Sequence, residues 1–252
     1  MDMGETAFDR TVYQITGADA LTFLQGIVSN DVLPLARGGG IVWAALLTPQ
    51  GKYLADFFVV ATGGALLLDI KTSIAASAVK RLLMYRLRAD VQILATGMHV
   101  ACGLGPVPAG ALADPRHSAL GWRCYGAQGV AAVIDWDAIR VAHCIPETGI
   151  ELIADDSYLL ETGFERLHGV DFRKGCYVGQ EVTARMKHKT ELRKGLARVR
   201  VQGFAPIGTE IHAAGKMVGR LFTQSGGYAI AYLRFDQATG DMLAGDAVVT
   251  VV

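Results

Sequence analysis

The densest chemistry in the chain is the run Arg173-Lys174-Gly175-Cys176-Tyr177-Val178-Gly179-Gln180-Glu181. A thiol acts as nucleophile or metal ligand only as thiolate, and adjacent cations favour that form. Arg173 and Lys174 put two cations within three residues of Cys176. Gly175 and Gly179 permit a tight backbone path and the close approach of a ligand. From Gln180 the pattern turns helical, and Glu181 and Arg185 are four apart in the order that favours an ion pair. One reading is a glycine turn that carries a thiol to the start of a helix. The other is a structural turn with a half-buried cysteine beside a solvated basic face.

Little else in the chain competes with that run. Cys102, Cys124, Cys144 and Cys176 stand singly. With no close ligand pairs they support neither a disulfide framework nor a zinc site, and one isolated thiol does not hold an iron–sulfur cluster alone. No metal site is predicted, and a reducing compartment is the simplest setting. His143, His168 and His188 have no serine or acid at telling spacing. Lysine plus arginine number 24 and acids 24, so no net field recruits nucleic acid or an anionic membrane. The one basic run, "RMKHKTELRK" from Arg185 to Lys194, has no interleaved aromatic platform and reads as a solvated face or a contact for an acidic partner. The N-terminal "MDMGETAFDR" lacks a basic n-region and an apolar h-region, and no apolar stretch is long enough to span a bilayer. A soluble cytoplasmic protein is the expectation.

The elements that must carry these residues follow from periodicity. "TVYQI" alternates as a strand. Ala20, Leu21, Leu24, Ile27 and Val28 then recur at helical spacing, with Thr16 as a candidate cap and Pro34 after the stop. "IVWAALL", "YLADFFVVA" and "ALLLDI", joined by "TPQGK" and "TGG", read as an antiparallel meander. Ser73 to Arg88 reads as a helix. "ADVQIL", "HVACGL", "WRCYG" and "VAAVID" read as strands, and "WDAIRVAHC" as a short helix. With no regular βαβ alternation the class is α+β. From Gly195 short strands broken by Gly-rich turns predict a small antiparallel β-barrel. The domains are expected at 1–192 and 193–252.

"KGCYVGQEVTAR", Lys174 to Arg185, resembles the signature of the YgfZ family of folate-binding proteins: Lys-Gly-Cys-Tyr, any residue, Gly-Gln-Glu. That family is related to the glycine cleavage T protein, the aminomethyltransferase, and includes mitochondrial iron–sulfur cluster assembly factors. The likeness extends to "GADALTFLQGIVSNDV", "LLTPQGKYLADFFV", "YRLRADVQI", "IPETGIEL", "FERLHGVDFRKGCY" and "GKMVGRLFTQSGGYAIAYLRFD". One departure follows the signature, where Lys189-Thr190 stands in place of the family's Arg-Gly.

The resemblance implies a T-protein-like, tetrahydrofolate-binding body with a C-terminal barrel. It implies an accessory role in iron–sulfur cluster assembly or repair, in support of cluster enzymes such as tRNA-modifying ones. The alternative is a folate-dependent aminomethyltransferase, which needs an acid near the folate nitrogens. Asp69, expected at a strand tip, and Asp90, expected in a turn, are its nearest candidates. Cys176 would be the reactive centre. Lys174 and Arg173 would hold its thiolate or attract the glutamate tail of a folate. Gly175 and Gly179 would shape the turn. Tyr177 would stack on a flat ring or pack in the core, and Gln180 and Glu181 would read pterin edges unless Glu181 only braces Arg185. Asn30 and Asp31 are pocket candidates or a helix-stop turn. Gly51 and Lys52 carry the same ambiguity as a hairpin turn, and Arg86 and Arg88 flank a strand start. Expected partners are folate and iron–sulfur assembly or client proteins, without membrane or direct nucleic-acid contact, on a monomer.

Overall fold

A computed structural model describes residues 4–189 and 191–252. Thr190, where the sequence departs from the family pattern, lies outside the described residues. The chain forms two compact units, one comprising residues up to Ile134 plus Glu165–Glu181, the other Asp135–Phe164 plus Val182–Val252.

The first unit holds β1 (Glu5–Thr6), β2 (Arg10–Thr16), α1 (Ala20–Gln25), β3 (Gly40–Leu47), β4 (Tyr53–Thr62), β5 (Ala65–Lys71), α2 (Thr72–Tyr85), β6 (Gln92–Ala95), β7 (Val100–Gly103), β8 (Leu112–Ala113) and β9 (Trp122–Tyr125). The predicted meander is the heart of a five-stranded antiparallel sheet in the order β3-β4-β5-β2-β6. A second sheet has the order β1-β7-β9-β8.

The long apolar runs of β3, β4 and β5 follow from burial on both faces. Because side chains alternate across a strand, Ala44, Leu46, Phe57, Val59, Leu68 and Ile70 share a core with α1 and with Ala75, Ala78 and Leu82 of α2. The register sets Trp43, Phe58, Asp69 and Val12 in one cross-strand row on the other face.

The second unit holds α3 (Trp136–His143), most of α4 (Gln180–Lys189) and the strands β10 (Lys194–Gln202), β11 (Glu210–Ala213), β12 (Lys216–Ser225), β13 (Tyr228–Arg234), β14 (Met242–Ala244) and β15 (Ala247–Val251). These strands close a barrel in the order β10-β13-β12-β11-β14-β15. Its interior is small and aliphatic, from Val199, Ile211, Leu221, Ala231, Leu233 and Val249. Arg140 of α3 is buried and donates to Glu151, Asp137, Thr223 Oγ1 and the Ile145 carbonyl, which ties the irregular segment after α3 to β12. Among the described residues no helix is long and apolar enough to cross a membrane.

Three local expectations change. "VAAVID" is not a strand: it is largely exposed, meets β1 only through a single bridge of Val130 to Glu5, and its Val133 and Ile134 N–H groups donate to the buried Glu5 carboxylate. Thr16 ends β2 and does not cap α1, whose N-cap is Asp19. Asp69 lies within β5, not at its tip, paired with Val12 and Phe58.

Candidate functional site

The signature run alternates between surface and interior. Arg173, Gly175 and Cys176 are exposed, while Lys174, Tyr177 and Gly179 are buried. Each buried residue is an anchor. The Lys174 ammonium donates to the carbonyls of Gln25 (2.8 Å), Val28 (2.5 Å) and Asn30 (3.0 Å). It also sits 5.0 Å from the centroid of the Tyr177 ring, a cation–π contact. Burial lowers the Lys174 pKa to about 8, although the charges of Asp31 and Asp171 oppose the shift.

Gly179 adopts φ +82°, and a Cβ there would fall 2.5 Å from the Thr48 carbonyl oxygen and 2.9 Å from Leu47 Cβ. It is the contact of the signature with the hairpin of "TPQGK", where Gly51 donates to the Thr48 carbonyl and Lys52 to Thr48 Oγ1. Gly175 has open space around it and an ordinary φ.

Beside this run is an open cleft of about 720 Å³, lined on one side by Asn30, Asp31 and Pro34, on another by Ile41, Val42, Trp43 and Pro115, and on a third by Glu165, His168 and Val170–Arg173. Its walls are stitched together. Ser29 Oγ donates to the Gly169 carbonyl (2.6 Å), and Asp171 N donates to the Ser29 carbonyl (3.1 Å). The Asn30 amide donates to the carbonyls of Trp43 (2.8 Å) and His168 (2.7 Å), while its oxygen accepts from Asp31 N. Asp31 in turn accepts from Leu33 N. Asn30 and Asp31 are therefore at once a turn and part of the cleft wall.

Behind the aromatic wall lies an ionic cluster that sequence reasoning missed. Asp69, fully buried, accepts from Arg10 Nε (2.6 Å), from Arg123 Nη2 (2.8 Å) and from the Tyr125 hydroxyl (2.9 Å). Asp114 is held by a bidentate Arg116 and lies 3.6 Å from Arg123. Arg10, Arg116 and Arg123 all sit over the Phe58 ring, at 5.5, 4.9 and 4.3 Å. Burial alone would raise the Asp69 pKa; Arg10 and Arg123 outweigh it and hold the carboxyl at about 2. Burial alone would likewise raise the Asp114 pKa; Arg116, helped by Arg123, outweighs it and lowers the carboxyl. Trp43 Nε1 donates to Asp56 (2.8 Å), whose other oxygen accepts from the Tyr53 hydroxyl (2.6 Å), so the indole at the cleft is fixed in its plane.

Of the residues singled out from sequence, Asn30, Asp31 and Arg173 line the cleft; Cys176, Lys174, Gly175, Tyr177, Gly179, Gln180, Glu181 and Arg185 do not. The Arg173 side chain is 95% exposed. The partners of Lys174 are backbone carbonyls, and those of Tyr177 include that lysine. No ion pair joins Glu181 to Arg185 among the described residues: both point to solvent from α4, where water competes with the pairing. Asp90 is exposed in the link between the turn at 87–88 and β6, not in the turn itself, and accepts from Ala18 N; Arg86 donates to the Val91 carbonyl. Trp43, Asp171 and Phe172 are among the ten cleft residues not foreseen, though Asp171 and Phe172 lie in the "GVDFRK" approach to the signature. Among the described residues no three His, Cys, Asp or Glu side chains are grouped to hold a metal ion.

The comparisons with known proteins first define a class. The crystal structure of glycine cleavage system aminomethyltransferase T from Bartonella henselae superposes with a TM-score of 0.74 over 98% of this chain and 85% of that one, at 12% identity. That likeness establishes an aminomethyltransferase T fold. Residues 193–252 match the CAF17 C-terminal beta-barrel domain. Among relatives, the mitochondrial iron–sulfur cluster assembly factor IBA57 homolog of Mycosarcoma maydis is 34% identical over 218 residues, 73% of this chain and 54% of that protein. Human mitochondrial IBA57 is 28% identical over 279 aligned positions, 92% of this chain and 78% of that protein.

The IBA57 factors are homologues of this chain, and its signature resembles that of the YgfZ family to which they are related. It spans about half the length of the fungal relative and more of the human one. The expectation of a cytoplasmic protein is corrected by these relatives, which are named as mitochondrial.

Proposed function

We propose that the chain is a tetrahydrofolate-binding accessory protein for iron–sulfur cluster assembly or repair, supporting cluster enzymes such as tRNA-modifying ones. The observation that carries this reading is the homology to IBA57 over 92% of the chain, joined to an intact KGCYVGQE signature on the T-protein fold. The relatives' mitochondrial names support a place in mitochondrial-type assembly machinery. In this reading residues 1–192 form the folate-binding body and 193–252 the barrel.

The cleft suits a folate in size and lining, since ligand pockets commonly measure roughly 300–1,000 Å³ and mix apolar walls with a few polar groups. Ile41, Val42, Trp43, Pro115 and Phe172 supply the apolar walls, and Asn30, Asp31, Asp171 and Arg173 the polar groups. A bound tetrahydrofolate would supply a one-carbon carrier. The chain's own part is to fix Trp43 through Asp56, to present carboxylates at the rim, and to hold Arg173 exposed beside Asp171 for an acidic tail. Cys176 is exposed on a loop pinned on both sides, so its thiol meets a cluster or a partner's thiol without passing through the interior. Gln180, Glu181 and Arg185 extend that surface on α4, and the chain acts as a monomer toward its assembly partners.

The test is calorimetric titration with tetrahydrofolate, with Asp171→Ala as the cleft variant. Micromolar binding that Asp171→Ala weakens supports the reading; no binding by the wild-type chain refutes its folate part. The second reading, an aminomethyltransferase, is favoured by the fold alone. Turnover of an aminomethyl donor that survives Cys176→Ala would select it.

A further inference from the structure

Lys174 stands between two walls of the cleft. Its stem belongs to the segment that carries Asp171, Phe172 and Arg173; its ammonium reaches the segment of Gln25, Val28 and Asn30, which leads into Asp31. Among the described residues no ion pair forms at the nitrogen, and its hydrogen-bond partners are three carbonyls at 2.5–3.0 Å. Three carbonyl dipoles that converge on one point repel each other, and an ammonium, with three N–H donors and a compact charge, reconciles them. A planar guanidinium cannot serve three converging oxygens in this way, and a methyl group leaves them buried and unpaired.

We propose that Lys174 is the positioning residue of the cleft: its ammonium gathers the Gln25, Val28 and Asn30 carbonyls and thereby holds the Asn30–Asp31 wall at a fixed distance from the Asp171–Arg173 wall. The residue acts through Asn30 and Asp31, not by touching ligand or Cys176. Its neighbours in charge are Asp31 across the cleft and Asp171 on its own segment, and the Tyr177 ring closes the remaining side. The ligand arm of the test below rests on the folate reading; the exchange arm does not.

The experiment compares wild type, Lys174→Met, Lys174→Arg and Lys174→Ala by amide hydrogen exchange and by tetrahydrofolate titration. Lys174→Met and Lys174→Arg keep the stem packed, so at least one folded variant is available. The expected result is a loss of protection of about tenfold or more at residues 26–31 and 171–173, with barrel amides unchanged. In Lys174→Ala, ethylammonium, which has N–H donors, restores protection, while tetramethylammonium, which has none, does not. Tetrahydrofolate affinity falls and recovers in step.

Unchanged protection in Lys174→Met overturns the proposal, as does full rescue by arginine. Lost affinity with intact wall protection also overturns it, because the lysine would then contact the ligand directly. If the wild-type chain fails to bind tetrahydrofolate, the folate reading falls and the exchange arm alone decides the role of Lys174.

Discussion

The two glycines of the signature give a paired prediction, because the structure assigns them opposite surroundings. At Gly179 the backbone has φ +82°, where a side chain costs about 1–2 kcal/mol. An alanine Cβ would also lie 2.5 Å from the Thr48 carbonyl oxygen, 2.9 Å from Leu47 Cβ and 3.1 Å from Gly51 Cα. Two of these three are backbone atoms of a tight hairpin and have little room to retreat, so overpacking adds about 1–3 kcal/mol. Gly179→Ala should therefore destabilise the first unit by about 2–5 kcal/mol, lowering its thermal midpoint by roughly 5–15 °C. Gly175→Ala meets nothing within 4 Å and no left-handed backbone, so its effect should stay within about 0.5 kcal/mol of zero. Urea and thermal unfolding of both variants, followed through tryptophan fluorescence, measure the difference. Equal effects from the two substitutions would refute the claim that the signature is seated on the hairpin through Gly179.

Other outcomes follow from the charged groups. Asp69 is held at about 2 against an ordinary value of 3.8, so it binds fewer protons in the folded chain. Its stabilisation is complete above pH 4 and fades as pH falls toward 2, by roughly 2.5 kcal/mol. Asp69→Asn should flatten that acid limb in a stability–pH series. Lys174 is lowered from 10.5 to about 8, so the unfolded chain holds the proton more tightly between those values. Stability should accordingly rise between pH 8 and 10.5, by no more than about 2 kcal/mol after solvent screening, and Lys174→Met should remove the rise. Arg140→Met strips Glu151 of its buried cation and should cost the second unit about 3–5 kcal/mol by urea unfolding. Cys176→Ala should leave both stability and tetrahydrofolate affinity unchanged, within about twofold, because the thiol is exposed and outside the cleft.

Local rules recovered the elements marked by continuous apolar runs, by helical periodicity or by regularly spaced turns. The meander of β3, β4 and β5, helix α2 and the short strands of the barrel follow from periodicity and turn residues, and the signature brought the family with it. The parts that stayed hidden depend on partners far away in the chain. Lys174 bonds carbonyls 144–149 residues upstream, so its neighbours in sequence suggested a partner for Cys176 instead. Asp69 reads as a polar break in "LLLDIK" until Arg10 and Arg123 converge on it from other strands. "VAAVID" has strand composition, yet after one bridge at Val130 the carboxylate of Glu5 takes the Val133 and Ile134 N–H groups that a continued strand would have given to its neighbour. Asn30 and Asp31 were open to two readings because a helix-stop turn and a cleft wall ask for the same residue types, and the geometry has them serve as both.

The most direct test of the central claim is the activity of an iron–sulfur enzyme in cells depleted of their own IBA57-type factor and supplied with this chain. Wild type is predicted to restore the enzyme, and Cys176→Ala, folded and still binding tetrahydrofolate, is predicted not to. Failure of the wild-type chain, or equal rescue by both forms, would contradict the account.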